Sequence, residues 1–238
     1  MDLHKTGCLI CGKKLNYLGQ NKLFPCAICG KDIESDVACD DSHFVCDQCH
    51  TRPGYESITS QALKSEESDA AAIARKMMTS GFINMHGPEH HYLTVAALLT
   101  AYRNAGGTVD LKKSLTLARQ RAEKIPGGVC GNWGACGAGL GTGIFISIIT
   151  GATPMSTGQW SLANQMTSLS LETIARNGGP RCCKRDTWLA VLTAVDFVRE
   201  RLGVKMARPA TTQCSFFANN PSCKHRDCLF YPQADSDI

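Results

Sequence analysis

The chain has 238 residues, 43% hydrophobic and 19% charged, with a formal net charge of +4. That balance excludes a disordered chain, and basic residues spread among acidic ones give no electrostatic track for nucleic acid. Of 14 cysteines, seven precede residue 50 and none lies between Cys49 and Cys130, which describes a small metal-rich module joined to a domain of ordinary size.

Met1-Asp2-Leu3-His4-Lys5 leads into a cysteine pair with no apolar leader, and the most apolar stretch, Ala135 to Ile149, is about 15 residues, short for a membrane span. A cytoplasmic protein without a membrane segment is expected. In a reducing compartment its cysteines serve as metal ligands or redox thiols more often than as disulfides.

Residues 1–52 read as the metal module. Cys8-x2-Cys11, Cys26-x2-Cys29 and Cys46-x2-Cys49 are three knuckles, and Cys39-x3-His43 lies before the third. A two-residue gap lets both thiolates reach one ion, and Gly12 and Gly30 permit the tight turns that follow. Eight ligands fill two tetrahedral sites, for which zinc is expected. Two pairings are open. An interleaved one gives Cys8, Cys11, Cys39 and His43 one ion and Cys26, Cys29, Cys46 and Cys49 the other; a sequential one groups Cys8, Cys11, Cys26 and Cys29. The run Ser42 to His50 looks like the hairpin-to-helix knuckle of interleaved treble-clef and RING-type modules, which favours the first. That likeness brings no ubiquitin ligase activity, because the cysteine pair such modules carry after Cys49 is missing. His50 is left over as a helix-start residue.

Residues 53–60, with Pro53 and Gly54 and no apolar period, read as a linker. Residues 61–238 read as an all-α cysteine-rich domain of about six helices, so the fold class is mainly α behind a two-metal finger. Ser65 to Asp69 opens a helix over Ala70 to Thr79. A second runs from about His90 to Asn104, with Leu93, Ala96, Ala97, Thr100 and Ala101 on one face. Asp110 caps a third, ended by Pro126-Gly127-Gly128. A fourth spans Gly137 to Ile149, a fifth Trp160 to Arg176, and Asp186 caps a sixth over Thr187 to Leu202, with Gly203 at its end.

The most unusual stretch holds Cys130 and Cys136 and eight glycines between residues 127 and 143. Glycine costs backbone entropy, so something must approach this backbone closely. Two explanations compete: helix packing, with Gly137/Gly141 and Gly139/Gly143 four apart, and a functional loop. The two cysteines favour function. At a helix start the dipole should ease ionisation of Cys136. Dinucleotide and phosphate-loop spacings do not match. Cys182-Cys183 also precedes a helix, again a place that favours thiolates. One of this pair, taken as Cys183, would join Cys214, Cys223 and Cys228 to make four cofactor ligands, which suits a [4Fe-4S] cluster or a third zinc. In His86-Gly87-Pro88-Glu89-His90-His91, solvated helix-cap histidines compete with a role for His90, beside Glu89, as an acid–base group for the Cys130/Cys136 pocket.

Together, the tandem finger, the Pro-Glu-His-His helix, the Gly-Gly-x-Cys-Gly-x2-Gly-x-Cys-Gly-Ala-x2-Gly-x-Gly loop and the cysteine tail resemble an uncharacterised cysteine-rich family of anaerobic bacteria and archaea, over almost the whole chain. Some members look fused to methyltransferases using S-adenosylmethionine, but no strand–glycine motif of such a domain is present here. Cys136-Gly-Ala-x2-Gly141 is similar to the core of small redox-associated cysteine proteins, which implies metal or thiol redox. The expected function is metal-dependent redox or sulfur handling by thiolates of the glycine-rich loop, on a small-molecule or sulfur-donor substrate. The competing expectation is a non-catalytic zinc-binding adaptor that docks a protein through the finger. Lys13, Lys14, Lys22 and Lys31 are too few for a nucleic-acid surface.

Overall fold

The computed structural model describes residues 7–232. Strands β1 (Leu15–Pro25) and β2 (Asp32–Cys39) form an antiparallel hairpin from Leu15 opposite Cys39 to Pro25 opposite Asp32, with an irregularity after Tyr17. The Cys26/Cys29 knuckle fills the connection between the strands, and Cys39 is the last residue of β2. Hairpin and knuckles are therefore one unit.

Eight helices follow among the described residues: α1 (Asp47–Lys64), α2 (Ala70–Met78), α3 (Glu89–Asn104), α4 (Leu111–Ala122), α5 (Val129–Asn132), α6 (Gly137–Thr150), α7 (Gly158–Arg176) and α8 (Cys183–Leu202). The mainly helical class holds, but the stretch 53–60 expected as a linker lies inside α1. Pro53, in the second turn of α1, removes one ladder hydrogen bond without ending the helix. Gly54 is there for closeness, since a methyl group on it would stand 3.0 Å from the Phe82 carbonyl oxygen. With Tyr55, Ile58 and Ala62 buried, α1 carries the finger directly into the helical core.

Helix α3 is the axis of that core, packed by α1, α2, α4, α6 and α8. The expected single apolar face is too narrow, because every residue from Glu89 to Tyr102 is buried. Such burial suits a helix enclosed on all sides. Asp110 caps α4 as expected, and Asp69, the last residue of the acidic run read as opening α2, accepts from backbone N–H groups as its cap. The cap of α8 differs: the helix starts at Cys183 with Cys182 as N-cap, and Asp186 reaches back from the first turn to accept from the Cys182 N–H at 3.4 Å. The tail docks on α8 through Phe216 and Phe230 against Trp188, with ring centroids 6.1 and 5.3 Å away.

The glycines of α6 answer to packing. Gly137 and Gly141 face α3: a methyl at Gly137 would land in the His91 ring, and one at Gly141 would stand 3.0 Å from the His91 carbonyl oxygen. Gly139 and Gly143 face α7, where Leu171 and Thr167 fill the space. A buried Thr142–Ser170 hydrogen bond of 2.9 Å locks that second contact. The close approach predicted from sequence is thus made by two helices, not by a ligand.

Gly137→Ala should destabilise the fold by about 1–3 kcal/mol through overpacking, whereas Gly131→Ala, with nothing within 4 Å of the added carbon, should leave the denaturant midpoint nearly unchanged. Equal midpoints for the two variants would remove this explanation of the glycine helix.

Candidate metal and thiol sites

The finger brings its eight ligands together in two groups. Cys8, Cys11, Cys39 and His43 form one, Cys26, Cys29, Cys46 and Cys49 the other, and within each the ligand atoms all lie within 4.8 Å. Each group could hold a metal ion, and the grouping is the interleaved one. The Cys11 and Cys39 sulfurs are 3.7 Å apart and those of Cys29 and Cys46 3.9 Å. Four tetrahedral sulfurs about 2.3 Å from an ion stand about 3.8 Å apart, so the donor set fits a small tetrahedral cation. Backbone N–H groups aim at the sulfurs: Ile10 at Cys8 (3.4 Å), His43 at Cys39 (3.3 Å), Cys46 at Cys26 (3.4 Å). In the second group Cys26 is nearly buried, which opposes ionisation, but N–H groups of Cys29, Cys46 and Ile28 prevail and hold its thiol below the usual range. Burial and the Cys46 and Cys29 sulfurs drive Cys49 the other way. The sulfurs compete for negative charge, and a bound cation ends the competition.

The helical domain holds a separate thiol cleft of about 440 Å³. Cys130, Cys136, Arg181 and Asp186 line it, with Tyr17 reaching over from β1. Gly128 and Gly134, both left-handed at φ of 82° and 65°, turn the chain on either side of Cys130. The Gly127 N–H donates to Asp47 Oδ2 at 2.9 Å, tying this loop to the first turn of α1. The Arg181 guanidinium lies close to the Cys130 sulfur in this cleft. The Cys136 thiol points at Asp186 Oδ2, 4.0 Å away. Asp186 also pairs with Arg185 Nε at 3.0 Å.

Easy ionisation of Cys136 is not what the site shows. Burial, with the Asp186 carboxylate adding to it, pushes this thiol up to about 11 despite the N–H groups of Ala138 and Gly139. Burial does the same to Cys182, to about 11, and raises Cys183 further. A helix start offers its dipole, but a thiol desolvated beside a carboxylate loses more than the dipole returns.

Glu89 and His90 do not line this cleft. Both are fully buried. Glu89 Oε1 accepts from the Asn84 N–H at 2.8 Å and lies 3.9 Å from His90 Nδ1, while Oε2 is 3.9 Å from His50 Nδ1. His90 Nδ1 donates to the Gly87 carbonyl at 3.0 Å. Burial, then Lys184, hold His90 well below its ordinary range. His50, read as an exposed helix-start residue, is half-buried against this cluster. The imidazole beside the cleft is instead His91, whose ring covers Gly137, next to Cys136. Sequence reasoning missed Arg181 and Asp186 as cleft residues and His91 as the ring packed behind Cys136; the signal available for His91 was Gly137, a space no side chain of its own fills.

The tail sulfurs separate from Cys183. Cys182, Cys214, Cys223 and Cys228 line one cavity, with Phe216, Trp188 and Phe230. Cys183 instead accepts from the Gly87 N–H. Neither tail set satisfies the 4.8 Å spacing that both finger groups meet among the described residues.

Residues 58–231 match the family model described as a family of unknown function, DUF5714. The chain belongs to this family. It is an uncharacterised family, as the sequence likeness implied, and its model covers every cleft residue except Tyr17 and every tail cysteine while starting inside α1. No curated protein and no solved structure matches the chain. No helix among the described residues is long and apolar enough to cross a membrane.

Cys8→Ser should release the ion of the Cys39/His43 group and leave the Cys26 group loaded, read as a fall from two finger metals to one by mass spectrometry of the intact protein; loss of both ions together would contradict the interleaved grouping. A second expectation concerns acid. Burial holds His91 down at about 4 against an ordinary 6.5, so the unfolded chain takes up this proton at a higher pH than the folded one. The stability carried by neutral His91 is complete above about pH 6.5 and is lost as the pH falls through that window. Thermal midpoints measured from pH 6.5 to 5 should therefore fall less steeply in His91→Gln than in the parent.

Proposed function

We propose that the chain is a zinc-bearing thiol redox or sulfur-handling protein in which the finger is structural and Cys130 and Cys136 carry the chemistry. One observation supports this reading above others: both thiols open on the same cleft as the Arg181 guanidinium and the Asp186 carboxylate. Zinc suits the finger because it favours tetrahedral thiolate and imidazole donors. A reducing, cytoplasmic setting belongs to this reading, because it keeps thiols available as ligands and nucleophiles.

Cys130, with Arg181 holding a positive charge against its sulfur, attacks the nearer sulfur of a substrate disulfide. An S–S bond breaks, a mixed disulfide forms, and the first substrate thiolate leaves. Cys136 gives its proton to Asp186 and attacks the Cys130 sulfur. The second substrate thiolate leaves, the substrate is reduced, and Cys130 and Cys136 are oxidised to a disulfide that an external thiol returns to the dithiol. Asp186 thus takes the acid–base place that the sequence suggested for His90. A persulfide donor enters by the same first attack, leaving its outer sulfur on Cys130.

The alternative is a non-catalytic zinc-binding adaptor. Ile10, Leu23 and Ile28, exposed on the finger, favour it by offering a partner an apolar contact.

The zinc-loaded chain should react with an aromatic disulfide probe in a fast phase that releases two thiols. Cys130→Ser should slow that phase roughly tenfold or more, and Cys136→Ser should stop at a mixed disulfide visible as added mass. A Cys130→Ser protein that reacts as fast as the parent, with its zinc content intact, would leave the adaptor reading standing.

A further inference from the structure

Next to the cleft, sharing Arg185 with it, lies the cavity lined by Cys182, Cys214, Cys223 and Cys228. We infer that these four thiolates hold a [4Fe-4S] cluster, with Cys182, not Cys183, as the fourth ligand. The inference does not depend on the chemistry assigned to Cys130 and Cys136.

Four features carry it. The first is direction. Cys182 is the extended N-cap of α8 and Cys183 its first helical residue, so their side chains diverge. Cys182 faces the cavity, where the Asn220 amide donates to it at 3.8 Å. Cys183 turns to the Gly87 N–H.

The second is the backbone around the sulfurs. The Phe216 N–H donates to Cys214 and the His225 N–H to Cys223, each at 3.3 Å and each two residues on. The same two-residue pattern runs from Ile10 to Cys8 in the finger. Among the described residues only Ser42 and His225 are non-glycine residues at positive φ, 59° and 49°. Ser42 shapes the turn that brings Cys39 and His43 to one ion, and His225 shapes the turn after Cys223. A side chain held left-handed has a backbone cost, which persists where surrounding structure demands it.

The third is spacing. The finger sulfurs sit at the separation a single tetrahedral ion requires. The cavity sulfurs surround a common space yet fall outside that spacing. An iron–sulfur cubane carries its thiolates on four separate irons and so holds them wider apart than one zinc ion does.

The fourth is charge. Four thiolates on a cluster of charge about +2 leave roughly two negative charges in an apolar cavity, which needs a nearby cation. Lys184 provides one. Its side chain is fully buried, its ammonium donates to the Asn84 carbonyl at 2.9 Å, and it stands 4.9 Å above the Phe216 ring, itself a wall of the cavity.

The full chain, purified without oxygen or reconstituted with ferrous iron and sulfide, should contain two zincs and about four irons with about four acid-labile sulfides, and should absorb broadly in the visible. Cys182→Ser and Cys214→Ser should lose most of the iron and colour while keeping both zincs and the helical circular dichroism; Cys183→Ser should keep all of them. A colourless parent with three zincs and no sulfide would overturn the proposal, and so would iron that survives in Cys182→Ser but is lost in Cys183→Ser.

Discussion

Four sulfurs gathered within 4.8 Å cannot all carry charge unless a cation stands among them, and this constraint organises the amino-terminal module of the fold. The hairpin that presents the knuckles has little else to hold it: most of β1 is exposed. Cys46 is the N-cap of α1 and Cys49 lies in its first turn. An ion joining them to Cys26 and Cys29 would therefore fix where α1 begins. From there Tyr55, Ile58 and Ala62 transmit that placement to α3, with Tyr55 meeting Tyr92 edge to face at 5.3 Å. The finger is built into the helical domain at its root.

That connection reaches the thiol cleft. Asp47, the first residue of α1, accepts the Gly127 N–H, and Tyr17 of β1 forms part of the cleft wall. On the opposite side, α6 can begin where it does only because Gly137 leaves room for the His91 ring, whose Nδ1 donates to the Ile125 carbonyl at 3.2 Å. Cys130 is thus positioned from the finger and Cys136 from the core. Two thiols that hang on different parts of a fold keep a set separation only while both parts are docked.

Much of this was legible in the sequence because it depended on local chemistry. Knuckle spacing named the eight residues that gather in the two finger groups, and the acidic run ending at Asp69 and the cap at Asp110 marked true helix starts, since knuckles and caps act over a few residues. What could not be read locally was exposure and direction. Pro53-Gly54 has the composition of a linker, and only the nearness of Phe82 shows why the glycine is needed inside a helix. Cys136 occupies a position that favours a thiolate until the carboxylate of Asp186, fifty residues away, is placed beside it. Of the histidines at the start of α3, the sequence pointed to His90. Burial removes His90 from the cleft while the neighbouring His91 covers Gly137, a distinction of one helical step.

The same step governs the segment from Gly179 to Asp186, where the cleft and the cavity meet. Arg181 turns to Cys130, Cys182 to the tail sulfurs, Cys183 to Gly87, Lys184 to the core, and Asp186 back to Cys136 and its own helix start. An extended N-cap followed by helical residues rotates consecutive side chains into different directions. Two adjacent cysteines can then serve two environments without sharing one ligand set. The arrangement also explains why Asp186 is not the N-cap. As N-cap it would have pointed its carboxylate at the backbone of α8 alone. From the first turn it reaches the Cys182 N–H, Arg185 and the Cys136 thiol together, so a helix cap and a cleft residue are supplied by one buried side chain.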